Sequence, residues 1–174
     1  VRHEAKRSLL NCFATAFSGC RDEALEISLA SLLEFGAKGE ARLIGRAECV
    51  DPLTAAFLNA AAANVYDFDD THLRTVIHPA APVAPALLAL SEKRPVSGKT
   101  LIQALALGIE TECRIGNAIS PGHYARGWHI TSTCGVFGAA MAVGKGLGLD
   151  AKQLIWALGN ASAQSSHANA LASA

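Results

Sequence analysis

The chain has 174 residues, 51% of them hydrophobic and 17% charged, with 15 basic residues against 15 acidic ones. That apolar content can build a core without disulfide staples and excludes a disordered chain. Zero net charge leaves no basic footprint for nucleic acid or an anionic membrane surface.

Alanine and leucine supply most of the apolar content, which favours packed helices over sheet. The first helix is expected over Arg2 to Ser18, with Ala5, Leu9, Phe13, Ala16 and Phe17 recurring on a core-facing stripe. Lys6-Arg7 and the apolar stretch up to Cys20 imitate an export signal. Asn11, Thr15 and Ser18 interrupt that stretch and Glu4 sits in its basic part, so a helix is the better reading. A second helix spans about Asp22 to Glu34, with Leu25, Leu29, Leu32 and Leu33 on one face and a stop at Gly36. Ala41 to Ile44 is the only short extended piece expected. Asp51-Pro52 supplies an N-cap and a first-turn proline for a helix to about Tyr66.

Residues 67–79 form an irregular polar stretch, followed by a helix over Pro82 to Leu90. Ser97 caps the next helix, whose face carries Ile102, Leu105, Ile109 and Cys113. Ser120 to Trp128 is expected as a loop. A helix from Thr131 to Gly146 carries Gly135, Gly138, Ala139, Ala142 and Gly144, small residues that let backbones approach closely. Asp150 and Gln153 form a capping box for a last helix, which runs through Ala157, Ala161 and Ser165 without a stop, as in a chain that continues. Long uncharged stretches such as Gly127 to Gly144 are broken by His129, Thr131, Ser132 and Thr133, so no membrane span is expected. The expectation is a soluble, all-α, bundle-like domain or a part of one.

The five cysteines are scattered in apolar or small-residue surroundings and read as free buried thiols of a reducing compartment. Ser97-Gly98-Lys99-Thr100 has the end of a phosphate loop, but Lys93 stands where its first glycine belongs. Gly144, Gly146 and Gly148 end a helix instead of opening one after a strand, so they are turn and packing glycines.

Chemistry concentrates in Asp67-Phe68-Asp69-Asp70-Thr71-His72, followed by His78-Pro79. Three carboxylates within four residues repel one another unless something uses or neutralises them. Aspartates also cap helices and shape loops as a matter of course. A second polar cluster, Gly127-Trp128-His129-Ile130-Thr131-Ser132-Thr133, opens the small-residue helix. Backbone N–H groups there, with Thr131 or Ser132 as cap, suit a carboxylate or phosphate. Two histidines and several aspartates flanking helices suggest acid–base work on an anion.

At these residues the sequence resembles the MmgE/PrpD family. The resemblance begins at Ala5-Lys6 to Gly19 and is strongest from Asp67 to Thr71 and at His78-Pro79. It continues through Gly108-Ile109-Glu110, Gly127-Trp128-His129, Gly135 to Ala142 and Leu147-Gly148-Leu149. It implies dehydration, decarboxylation or epimerisation of small di- or tricarboxylates, in a cytoplasmic homodimer without metal or organic cofactor. It also implies a helical large domain with a smaller α/β lid. Residues 1–174 then correspond to an N-terminal part of the helical domain, with the lid and a downstream active-site lysine expected past Ala174. A piece of that kind is expected to be inactive alone.

Carried over by position, the resemblance implies catalytic roles for Asp67, Thr71, His78 and His129. Because the intervening loop varies in length, Asp69 and Asp70 stay open as alternatives to Asp67. Methylcitrate dehydratases of the family continue the His-Pro with Ser-Asp-Asn, whereas Ala80-Ala81-Pro82 follows here. That departure leans toward the decarboxylase, epimerase or uncharacterised branches. On this reading His78 moves the proton and Asp67 orients it, while His129 and the amides of Thr131, Ser132 and Thr133 hold a substrate carboxylate. Arg74 is a lesser candidate clamp. Two other classes remain open: a catalytically inactive helical interaction module, and a metal-dependent hydrolase built on Asp67, Asp69, Asp70, His72 and His78.

Overall fold

The computed structural model describes residues 1–165. Among them lie eight helices: α1 Arg2–Gly19, α2 Glu23–Glu34, α3 Pro52–Asn64, α4 Ala80–Lys93, α5 Gly98–Ile119, α6 Gly122–Ala125, α7 Ile130–Gly146 and α8 Ala151–Ser162. A two-stranded antiparallel sheet pairs β1, Lys38–Arg42, with β2, Cys49–Val50. The all-α expectation holds.

Local chemistry starts most of these helices where the sequence places them. Asp22 accepts from the Ala24 amide, Asp51 from Leu53 and Thr54, and Ser97 from Thr100. Asp150 and Gln153 close a reciprocal capping box. α4 begins at Ala80, two residues earlier than Pro82, so that Pro82 falls in its first turn, where a missing N–H costs nothing.

α4 is the central element. It packs against α3 and α7 and also meets α1 and α5, while α5 and α7 form the most extensive helix pair. Ala84, Leu87, Leu58, Ala62, Leu105 and Ala142 belong to one buried cluster at this junction. Leu87 and Leu105 are fully enclosed, each contributing about 1.5–3 kcal/mol through burial.

Several expectations need correction. α1 buries Ala5, Cys12, Thr15, Ala16 and Gly19, while Phe13 and Phe17 are exposed. The small side of α1 faces α3 because the backbones come close: a Cβ at Gly19 would collide with the Ala62 carbonyl. The extended piece starts at Lys38 and ends at Arg42, ahead of Leu43 and Ile44, and β2 is too short to show any alternation. α3 stops at Asn64, not Tyr66. The expected loop after Ser120 contains the short α6. α8 ends at Ser162, so Ser165 is not helical; its hydroxyl donates to the Thr133 carbonyl at 2.8 Å. The expected continuation of that helix beyond Ser165 lies outside the described residues.

Candidate active site

The polar stretch leaves α3 at Asn64 and is shaped by two residues with left-handed backbone. Asp67 has φ 55° and Val76 φ 58°. Aspartate tolerates that region, but a β-branched valine there is strained, and such strain concentrates at functional segments. Between them the chain doubles back. The His72 amide donates to the Ile77 carbonyl at 2.8 Å, and His72 Nδ1 shares a hydrogen bond of 2.7 Å with the buried Thr75 hydroxyl. Ile77 is fully buried and packs with Ile130 and Cys134, which anchors the turn on α7.

That anchor delivers His78 to the start of α7, where its backbone N–H donates to Thr131 Oγ1 at 3.1 Å. Its ring lies between two carboxylates. Nε2 is 3.5 Å from Asp67 Oδ1, and Nδ1 is 3.0 Å from Asp69 Oδ1. The shorter approach is close without being aligned as a hydrogen bond, so His78 Nδ1 and Asp69 Oδ2 both lack a hydrogen-bond partner among the described residues. Asn64 Nδ2 donates to Asp69 Oδ1 at 3.1 Å and holds that carboxylate in place. The Asp69 side chain is 1% exposed and that of Asp67 is 82% exposed, so one carboxylate is fixed inside while the other opens to solvent.

Asp70 is turned away from this cluster. Its amide donates to Asn11 Oδ1 at 2.8 Å, its Oδ1 accepts from the Ala80 amide at 3.0 Å, and its Oδ2 accepts from the Ser8 hydroxyl. Burial pushes its carboxyl above the ordinary aspartate value, against the opposing hydrogen bonds from Ser8 and Ala80. Asp70 therefore ties α1 to the N-terminus of α4, where a negative charge is favoured.

The second cluster joins the first through Thr131. His129, not Thr131 or Ser132, caps α7: its Nδ1 accepts from the Ser132 amide at 3.2 Å. A backbone N–H can only donate, so Nδ1 is unprotonated and the ring proton sits on Nε2. The Thr133 amide is also taken, by the His129 carbonyl at 3.1 Å. Two of the three amides expected to hold a carboxylate are thus already engaged.

Thr71 is exposed, with its hydroxyl donating to the Asp69 carbonyl at 3.2 Å. Arg74 is exposed in the turn between His72 and Ile77, with no ion pair to the cluster among the described residues. An open cavity of about 670 Å³ lies beside the segment, between α1 and α5, and is lined by Ser8, Asn11, Asp70, Thr71, His72 and Glu110 among others. Neither His78 nor His129 lines it.

Of the five residues considered for a metal, three come together. Asp67, Asp69 and His78 offer ligand atoms within 4.8 Å of one another, while Asp70 and His72 are bonded elsewhere. Sequence reasoning missed Asn64, Ser8 and Asn11, which fix the aspartates from other helices. It also missed His123, whose Nε2 meets Thr133 Oγ1 at 2.8 Å and whose ring stacks on Trp128. No local spacing links Ser8 or Asn11 to Asp70, some sixty residues away.

Comparison with known proteins matches the chain to a family. The family model for the MmgE/PrpD N-terminal domain matches residues 1–173. The cis-aconitate decarboxylase of Aspergillus terreus is 34% identical over 170 residues, covering 94% of this chain and 35% of that protein. The cis-aconitate decarboxylase-like protein oryM of Aspergillus oryzae is 31% identical, over 94% of this chain and 36% of its own length. The Homo sapiens cis-aconitate decarboxylase is 32% identical, over 86% of this chain and 32% of its own. The chain thus spans about a third of the length of these relatives. With the helical fold and the ordered run of motifs from Asp67 to His129, the chain belongs to the MmgE/PrpD family.

Proposed function

We propose that the protein carrying this chain is a lyase that decarboxylates a small unsaturated polycarboxylate of the cis-aconitate type. The single observation that carries the reading is the His78 ring, held between Asp67 and Asp69 and pinned by its backbone to Thr131. The similarity to cis-aconitate decarboxylases favours decarboxylation over dehydration or epimerisation.

When the bond to a departing carboxylate breaks, CO₂ leaves and its bonding electron pair stays on the substrate. A proton must then meet that pair. His78 is the donor in this reading, because each of its ring nitrogens lies within 3.5 Å of a carboxylate oxygen that favours its charged form. Asp67, the exposed partner, is the group through which the ring is recharged, and the buried Asp69 supplies a fixed negative charge beside Nδ1. His129, with the proton on Nε2, and the Thr131 hydroxyl and amide bind a retained carboxylate. Thr71 borders the site, and Arg74 is the less favoured clamp.

No organic cofactor is assigned. Free cysteines fit a cytoplasmic setting, and the exposed Phe17, Phe57 and Trp156 fit faces covered in a homodimer. No helix among the described residues is long and apolar enough to cross a membrane. The test is turnover of cis-aconitate, citrate, methylcitrate and iminodisuccinate by the full-length protein and its His78→Ala variant. A loss in kcat of about a hundredfold or more is expected; near-normal turnover would sink the assignment. A metal-dependent hydrolase is the second reading, favoured by the three clustered ligand atoms. Stoichiometric metal in the purified protein would replace the first reading with it.

A further inference from the structure

Glu112 is the most anomalous side chain outside the site. It is fully buried on α5, and neither of its carboxyl oxygens has a hydrogen-bond partner among the described residues. The sequence hides it, since it reads as one polar residue between apolar positions of an amphipathic helix. Its carboxyl occupies space that α7 leaves open by carrying glycine. A Cβ on Gly138 would come within 2.9 Å of Glu112 Oε1, and one on Gly135 within 3.7 Å of Oε2. Pro82 and Val83 of α4 border the same two glycines. Glu112 is therefore enclosed by α4, α5 and α7, beneath the points where α4 and α7 begin.

Among the described residues its titratable neighbours offer no cation. They are Asp70 from the polar segment, the Cys134 thiol of α7 and the Cys113 thiol beside it on α5, whereas α4 presents Pro82 and Val83. An unpaired carboxylate in such a place costs far more than a neutral acid. Burial, and then the charge of Asp70, push the Glu112 carboxyl well above the ordinary glutamate value.

We propose that Glu112 is a proton-operated latch: with its carboxyl protonated the α5–α7 seam is closed, and loss of that proton loosens the first turns of α7, which carry Thr131 and its cap His129. The fold thereby couples proton activity to the geometry of the candidate site. The coupling is read without turnover, so it stands or falls independently of the proposed reaction.

The sign follows from linkage. A folded-state value raised above the unfolded one makes stability complete below the unfolded value and lost as pH rises toward the folded one. Relative to Glu112→Gln, which keeps the shape without the charge, the wild-type folding equilibrium constant is expected to fall about tenfold per pH unit above roughly pH 5. Chemical denaturation of both chains from pH 5 to 8 measures this, and a constant ratio would overturn the proposal.

Hydrogen exchange, corrected for intrinsic rates, should show protection lost with rising pH in the first turns of α7 in the wild type but not in the variant. Loss in the first turns of α7 no greater than in α3, which follows global stability, would overturn the latch. Should Glu112→Gln fail to fold, ¹³C NMR of the glutamate carboxyls decides on wild-type protein alone. One resonance staying protonated at pH 7 supports the proposal; ionisation of every glutamate by pH 6 overturns it.

Discussion

The backbone N–H of His78 donates to the Thr131 hydroxyl at 3.1 Å, fastening the end of the polar segment to the first turn of α7. Ile77 and Ile130, the residues just before each partner, are both buried in one small cluster with Cys134. The hydrogen bond thus lies beside an apolar clasp, and the two together set where the imidazole sits. Thr131→Val keeps the shape and leaves the His78 N–H unpaired, so it should cost about 1–2 kcal/mol of stability. Thr131→Ser should restore most of that. Urea midpoints of the three chains measure it, and equal midpoints for wild type and Thr131→Val would show that the bond contributes nothing.

Asp70 and Asp67 should separate stability from chemistry. Asp70 accepts from Ser8 and from the Ala80 amide, so Asp70→Ala strands partners on two helices at once. A loss of about 2 kcal/mol is expected. Asp67 is 82% exposed at its side chain, and asparagine also tolerates its left-handed backbone. Asp67→Asn should therefore change stability by less than about 0.5 kcal/mol while reducing turnover of the full-length protein. The reverse ranking in denaturation would mean that the two carboxylates have been assigned the wrong jobs.

The difference between these aspartates shows what the sequence could and could not reveal. Three carboxylates within four residues announced a site, because their repulsion needs an explanation. Nothing local distinguished them, since the choice is made by Ser8 and Asn11 on α1 and Asn64 on α3. Helix starts at Asp22, Asp51, Ser97 and Asp150 were legible because capping is a short-range event. The start of α7 was misplaced by one residue for the same reason in reverse. A histidine ring nitrogen does the work that serine or threonine was expected to do. The buried stripe of α1 was misread because close approach to α3 selects Cys12, Ala16 and Gly19 over the larger Phe13 and Phe17. Small-residue packing depends on the partner helix, which periodicity does not contain.

Asp51 makes the acid side of the stability profile testable. Hydrogen bonds from Thr54, and then from the Leu53 amide, hold its carboxyl below the ordinary aspartate value. A depressed folded-state value gives stability that is present above the unfolded value and lost as pH falls through the folded one. Below about pH 4 the wild type should therefore lose stability relative to Asp51→Asn, which keeps an acceptor that does not titrate. At neutral pH, Asp51→Ala should cost about 1 kcal/mol as the cap is lost. Denaturation series from pH 3 to 6 on the three chains measure both, and parallel wild-type and Asp51→Asn curves would exclude the charge from the cap.

The thiols provide a chemical readout of how tightly the helices close. Burial pushes the Cys12, Cys113 and Cys134 thiols up to about 12, with Asp70 and Asp69 adding to it at Cys12. The thiolate is the nucleophile, and at pH 8 a thiol of that kind is ionised in roughly one molecule in ten thousand. Cys49 is exposed at the edge of the small sheet, and Cys20 is buried. Brief alkylation of the native chain at pH 8 should modify Cys49 and leave the other four until denaturant is added. Peptide mapping by mass spectrometry identifies the sites. Labelling of Cys113 or Cys134 at the rate of Cys49 would mean that the α5–α7 seam opens under native conditions, and the enclosure that makes Glu112 neutral would fall with it.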